Sequence, residues 1–235
     1  MKKSFYLLLP LVFIASKTKA QKPKANILST TWSTVQLRWT VRYSNDEKQL
    51  QRIIDEGASV NYKDIWTKNT PLHTAAYYHK IAFIRILTQN GADVNAPDTY
   101  GFTPLHRAAK HNDRGGKGKK KRRQERAKEI LAIFIEKNVH INAQNIVGET
   151  ALHITARNKS SIYFARELIK NNIDINIQNK NGHTALHIAA LYQNTTMIKL
   201  LLRYKADTTL QNNDKKTALD IALKTNNKKV IDLLQ

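Results

Sequence analysis

Four histidines are the residues whose type and spacing most suggest chemistry. His73, His106, His153 and His187 recur at steps of 33, 47 and 34 residues. A row of imidazoles suggests a metal site. One repeat step separates each from the next, roughly 10 Å for packed helices, and bonds near ~2 Å cannot bridge that. His79, His111, His140 and His183 form no i, i+3 or i, i+4 pair among themselves. The absence of Cys removes disulfides, thiolate zinc sites and cysteine nucleophiles. There is no G-x-S-x-G, P-loop, H-E-x-x-H or CxxC motif, and the carboxylates do not converge as a pair. The sequence therefore predicts no catalytic residue, no metal, no cofactor and no enzyme.

Charge is the second unusual feature. Lys and Arg number 39 against 18 Asp and Glu, a formal net charge of +21, while 41% hydrophobic residues suffice for a core. Two segments carry the excess. Residues 1–44 hold eight basic residues and no acid, and residues 114–128 hold nine basic residues and one acid. Within the second, Lys119, Lys120, Lys121, Arg122 and Arg123 form a continuous run, with Arg126 close behind. Such a run suits a polyanion, either nucleic acid or an acidic membrane. No aromatic interleaves it, so base stacking is not expected.

The first 20 residues have the three-part layout of an export signal. Met1-Lys2-Lys3 is cationic, Phe5 to Ala15 is apolar apart from Pro10, and a polar stretch ends at Ala20. Eleven apolar residues are too few to span a bilayer, which takes about 20. Cleavage after Ala20 is expected, with delivery to a periplasm or the outside, including a host. No membrane-spanning segment is expected after that cut.

The elements that must position everything else come from self-similarity. Thr70-Pro71-Leu72-His73 returns as Thr103-Pro104-Leu105-His106, Thr150-Ala151-Leu152-His153, Thr184-Ala185-Leu186-His187 and Thr217-Ala218-Leu219-Asp220. The step of 47 is one repeat with a 14-residue insertion. A second marker, Gly57-Ala58-Ser59-Val60-Asn61, matches Gly91-Ala92-Asp93-Val94-Asn95, with weaker echoes ending at Asn142 and Asn176. Each Thr is a good N-cap, and Pro71 and Pro104 fall at the first helical position. Gly57 and Gly91 predict left-handed C-caps. Asn138, Asn172 and Lys205 stand in that place in later units, and those helices are expected to fray sooner.

The unit closely resembles the ankyrin repeat over residues 36–235. The resemblance implies an all-α solenoid of about six helix pairs with β-hairpin loops. It also gives the recurring His a structural role, tying its repeat to the neighbouring loop. The expected organisation is a signal at 1–20, a linker at 21–30 and a repeat domain at 31–235. Within that domain lie a cap at 31–62, repeats at 63–96, 97–143, 144–176 and 177–209, and a C-terminal cap at 210–235. The basic insertion occupies 114–127. Val35, Leu37, Trp39 and Val41 alternate as a strand would, but the repeat logic favours a helix from Thr31 to Tyr43.

The resemblance places recognition on hairpin tips and the ends of the inner helices. The residues there that the fold does not need are Trp66, Tyr100, Phe102, Ile146 and Val147 at tips, and Tyr77, Tyr78, Arg157 and Tyr192 at helix ends. Exposed aromatics with Arg are the side chains that protein-binding hot spots use. The function expected is non-catalytic recognition of a partner protein by an exported monomer. Polyanion binding through 114–128 is the first alternative. Service as an inhibitor or immunity-type subunit of an exported enzyme is the second.

Overall fold

The computed structural model describes residues 27–110 and 120–235, so residues 1–20 and Lys119 lie outside it. Six helix pairs follow one another: α1 (Ile27–Tyr43) with α2 (Glu47–Asp55), α3 (Pro71–Tyr77) with α4 (Ile81–Gln89), α5 (Pro104–Lys110) with α6 (Lys120–Glu136), α7 (Ala151–Arg157) with α8 (Ile162–Lys170), α9 (Ala185–Leu191) with α10 (Thr195–Arg203), and α11 (Ala218–Thr225) with α12 (Lys228–Leu234). The first members pack side by side in one layer, α1 on α3 and onward to α11. The second members form another layer behind them. Among the described residues no helix is long and apolar enough to cross a membrane.

Helices of seven to nine residues do not persist alone in water. Stacking holds them. Leu72, Leu105, Leu152 and Leu186 are fully buried between successive inner helices, and Ala75, Ala76, Ala108, Ala109, Ala189 and Ala190 allow the close approach. Ile84, Leu87, Leu131, Phe134, Leu168, Ile198 and Leu201 fill the space between the layers. At the chain's start the alternating segment is helical and begins at Ile27, four residues ahead of Thr31. Burying Leu37 and Val41 against the next pair outweighs the β-branched preference for strand.

Asn138, Asn172 and Lys205 close their helices in the same way as glycine does. These residues hold φ of 58°, 63° and 58°, the left-handed conformation that Gly57 and Gly91 hold at 94° and 82°. α4, α8 and α10 are all nine residues long. The residue after each cap supplies the reason: Ala92, Val139, Ile173 and Ala206 each bond back to a carbonyl of the last turn at 2.9 to 3.2 Å. That closing bond holds a left-handed cap that costs a non-glycine residue about 1–2 kcal/mol.

α6 is 17 residues long, eight more than α4, an extension of about two turns or ~12 Å. Residues 120–127 of the basic insertion therefore continue the second helix of their repeat.

Tight hairpins connect the pairs, and a backbone bond joins the tip of each hairpin to the next. Among the described residues none forms a strand ladder. The hairpin arms close through Asp98 N–H to Phe102 O, Asn145 N–H to Glu149 O, Asn179 N–H to His183 O and Asn212 N–H to Lys216 O, all at 2.9 to 3.0 Å. Between hairpins, Thr99, Ile146, Lys180 and Asn213 donate to the carbonyls of Thr67, Tyr100, Val147 and Asn181 at 3.0 to 3.1 Å. Glycine is required where a following hairpin comes this close. A Cβ on Gly148, which holds φ of +78°, would sit 2.7 Å from the Lys180 nitrogen; on Gly182, at φ of +73°, it would sit 2.7 Å from that of Asn213.

The second sequence marker also works across repeats. Asn61, Asn95, Asn142 and Asn176 accept through their side-chain oxygens from the backbone N–H of Asp93, His140, Asp174 and Asp207, at 2.7 to 3.0 Å. The row of asparagines binds each helix-pair terminus to the next.

Candidate partner-recognition surface

The recurring histidines sit at the base of the hairpins and fix what lies above them. The backbone N–H of Thr70, Thr103, Thr150 and Thr184 donates to Nδ1 of His73, His106, His153 and His187 at 3.1 to 3.2 Å. Nδ1 must therefore carry a lone pair, and the proton is on Nε2. That Nε2–H donates to a carbonyl of the next hairpin: Phe102 for His73, Glu149 for His106, His183 for His153 and Lys216 for His187, at 2.9 to 3.1 Å. The neutral ring thus caps its own helix and ties down the following loop, leaving no lone pair for a metal.

Burial pushes all four histidines below their ordinary range, to about 4 for His73 and His106. His183 stacks on His187 with centroids 5.7 Å apart, and its Nε2 takes the Asn212 side-chain amide at 2.8 Å. Among the described residues no three His, Asp or Glu are gathered to hold a metal.

A second buried set organises each hairpin from within. Asp64, Asp98, Asn145, Asn179 and Asn212 are buried and each accept two backbone N–H groups of their own loop through Oδ1. Charge enters only in the first hairpins. Arg38 pairs with Asp64 at 2.9 Å, Arg107 pairs with Asp98, and Arg157 pairs with the buried Glu149. The Thr67 backbone N–H, with further help from the Thr67 hydroxyl and Arg38, holds the Asp64 carboxyl below its usual range.

On this frame the hairpins present their tips as a row. Trp66 is 81% exposed, and Tyr100, Ile146 and Val147 are exposed on the two hairpins that follow. The loop-to-loop bonds hold them in register. At the inner-helix ends Tyr77 and Tyr78 are exposed and meet edge to face, with centroids 5.1 Å apart; Leu191 and Tyr192 are exposed further along. Arg42, Tyr77, Tyr78, Arg107 and Lys110 line an open hollow of about 370 Å³ beside these helix ends.

Two sequence-predicted contacts are otherwise engaged. Phe102 is half-buried: the Arg107 guanidinium lies 4.9 Å over its ring, Lys110 lies 5.9 Å away, and the His106 ring meets it edge-on at 5.8 Å. Arg157 is committed to Glu149. The helix also divides the basic run. Lys121 and Arg122 face solvent, while Arg123 and Arg126 are half-buried beside a cavity of about 20 Å³ lined with His79, Ser160 and Phe164. Lys120 opens α6. Asn194-Thr195-Thr196 matches a glycosylation acceptor, but the Asn194 side chain is buried and donates to Ala156 O at 3.0 Å.

Sequence reasoning missed one group. Trp32, Val35, Trp39 and Tyr43 are all exposed on α1. Their spacing of three, four and four would have marked a helix face, had the alternation of the same segment not competed with it.

The arrangement is that of a stacked helix-pair repeat protein that offers a surface. A family model described as Ankyrin repeats (3 copies) matches residues 37–116 and 159–235, about two-thirds of the chain. The chain belongs to the ankyrin repeat family, whose repeats are general protein–protein interaction modules. It is 31% identical over 106 residues to mouse Ankyrin repeat domain-containing protein 37, covering 45% of this chain and 58% of that protein. It is 46% identical over 79 residues to the ARF GTPase-activating protein Git of Drosophila melanogaster, covering 33% of this chain and 11% of that one. A putative ankyrin repeat protein of Rickettsia bellii is 52% identical over 40 residues, 17% of each chain. The chain thus spans about a tenth to about three-fifths of the first two relatives.

Proposed function

We propose that this chain is a non-catalytic recogniser of a partner protein, exported after removal of residues 1–20, which engages its partner with the hairpin tips and the concave face. One observation carries the recognition reading: Trp66, Tyr100, Ile146 and Val147 are exposed on three consecutive hairpins whose bases are locked by buried bonds. Apolar side chains that the fold does not bury, held on a rigid row, are what an interface core needs. The open hollow beside them is cationic and aromatic, through Arg42, Lys110 and the tyrosine pair. The cationic start and the apolar run from Phe5 to Ala15 support export.

The test is capture of partners by the chain, repeated with Trp66→Ala and Tyr100→Ala. Each truncation should weaken binding by about 1–4 kcal/mol and leave helicity and urea midpoint unchanged. Full retention of the partner by both variants would refute the surface. Mass spectrometry of the chain recovered from its source should find Gln21 at the N-terminus; an intact Met1 on cytoplasmic protein would refute export.

A second reading has its own observation. The extra turns of α6 hold Lys121 and Arg122 in solvent, within a segment of nine basic residues. Polyanion contact through that edge predicts heparin retention that falls with salt and is lost in Lys121→Glu, Arg122→Glu. Equal retention of the variant would remove it.

A further inference from the structure

Every interior inner helix of the stack lies between two other inner helices, whereas α1 packs on one inner helix, α3, and on its own pair-mate α2. The other side has no helix against it among the described residues. Solvated residues are expected at such an end. This end instead presents Trp32, 55% exposed, Val35, 48%, Trp39, 62%, and Tyr43, 65%. Trp39 and Tyr43 touch each other, ring centroids 4.9 Å apart, rather than the core. Beside Trp39 an open groove of about 370 Å³ runs between α1 and α2, edged by Arg52 and Glu56.

We propose that this end face is the interface of a two-fold dimer, in which the α1–α2 face of one copy packs on that of a second. Three features of the face fit a second copy. The first is symmetry. Counting seven residues back from Tyr43 along α1 and seven forward from Glu47 along α2 brings Gln36 and Ile54 to one level. Trp32 and Trp39 flank the first, and Arg52 and Glu56 flank the second. A two-fold axis in the plane of the face at that level sets Trp32 of each copy against Trp39 of the other. It also sets Arg52 of each against Glu56 of the other. A face bearing both signs in mirrored positions is self-complementary, as an isologous contact requires.

The second feature is area. Three aromatics, each exposing more than half of the ~150–250 Å² such side chains bury, with Val35 and the polar edge, approach the ~800 Å² per partner of a standard interface. The third is the opposite end of the stack, where Lys224, Lys228 and Lys229 are exposed. Head-to-tail stacking would bring those lysines onto Arg42 and Arg52, so closure as a dimer is favoured over a filament. The dimer stands as the alternative to the monomer expected from the sequence. The inference rests on export only in taking residues 1–20 to be absent.

The experiment is sedimentation of the purified chain across a wide concentration range, with its N-terminus read by mass spectrometry so that the two proposals fail separately. The expected result is a concentration-dependent species of twice the monomer mass. Trp39→Glu and Trp32→Glu should each raise the dissociation constant by ~30-fold or more with unchanged far-UV circular dichroism. In a Trp66→Phe background, dimerisation should shield the remaining tryptophans from iodide. A monomer at the highest concentration overturns the proposal. Iodide-accessible tryptophans in that monomer would leave the face to a different protein, and shielded ones in a chain retaining Met1 would assign it to residues 1–20 of the same chain. A dimer that survives both substitutions overturns it as well.

Discussion

The two ends of the stack are built to different rules. In the C-terminal repeat, the positions that interior repeats use for stacking have been exchanged. Gly101, Gly148 and Gly182 lie under a following hairpin, and Lys215 holds the same left-handed conformation with φ of 58°. No further hairpin stacks on Lys215 among the described residues, so its Cβ meets no backbone. Likewise Asp220 stands where four repeats have His. It accepts the Thr217 N–H at 2.8 Å, as the His rings do, but has no N–H to offer a further loop. The N-terminal end also lacks the Thr-Pro-Leu-His motif, but α1 exposes Trp32, Val35, Trp39 and Tyr43 rather than charged side chains. The polar last repeat suits contact with solvent, whereas the apolar face of α1 is the one on which the proposed dimer rests.

The largest expected effect that sharpens this contrast is at glycine. Gly148→Ala should destabilise by about 3 kcal/mol, through left-handed strain and a Cβ forced against the Lys180 backbone. Lys215→Ala should stay within about 0.5 kcal/mol. Urea unfolding of the two variants measures the difference, and equal losses would break the account of why the last hairpin lacks glycine.

Next in size is the histidine. His106→Ala strands the buried Thr103 N–H, takes one of two donors from the Glu149 carbonyl and leaves a cavity, and should cost about 2–4 kcal/mol. Asp220→Ala should lose only a helix cap on an open edge, a smaller fall in the same assay.

Acid should act on the interior repeats in the same sense. A ring held neutral has a folded-state pKa below its unfolded value of 6.5, so its contribution is complete above pH 6.5 and disappears as pH falls toward about 4. His73 and His106 should each give up roughly 3 kcal/mol across that window. Denaturant midpoints read at pH 7 and pH 5 should drop more in the parent than in a His73→Gln variant. Equal drops would show that the rings do not carry the acid sensitivity.

The smallest expected effect on stability is at the tips. Trp66→Ala should leave the urea midpoint within about 0.5 kcal/mol while weakening partner binding. A large loss of stability would place Trp66 in the fold instead of the surface.

The repeat itself was plain in the sequence, because stacking demands the same residues at the same step. Thr as cap, Leu in the core, Ala at the close approach and His beneath the loop could all be read from five matching motifs. The second marker was legible as a pattern but not as a mechanism. Nothing in the order of residues says that the Asn61 side chain bonds the Asp93 backbone 32 positions away. The candidate surface was legible in part, since residues that a repeat does not need are visible as departures from it. Trp66 and Tyr100 were found that way.

Exposure, in contrast, belongs to neighbours in space. Phe102 and Tyr100 lie two residues apart on one loop, yet Phe102 lies under Arg107 and Tyr100 faces solvent. The basic run reads as one block, but a helix turns 100° per residue and sends Lys121 and Arg122 outward while Arg123 and Arg126 turn toward α8. The apolar face of α1 was hidden for the related reason that its segment fits two periods at once. The sequence by itself determined the repeat, its caps and the chemistry of its tips, because those follow from local geometry repeated at a fixed step. The tertiary structure decided which of those side chains remain free, because burial is set by what packs against a residue and not by what precedes it.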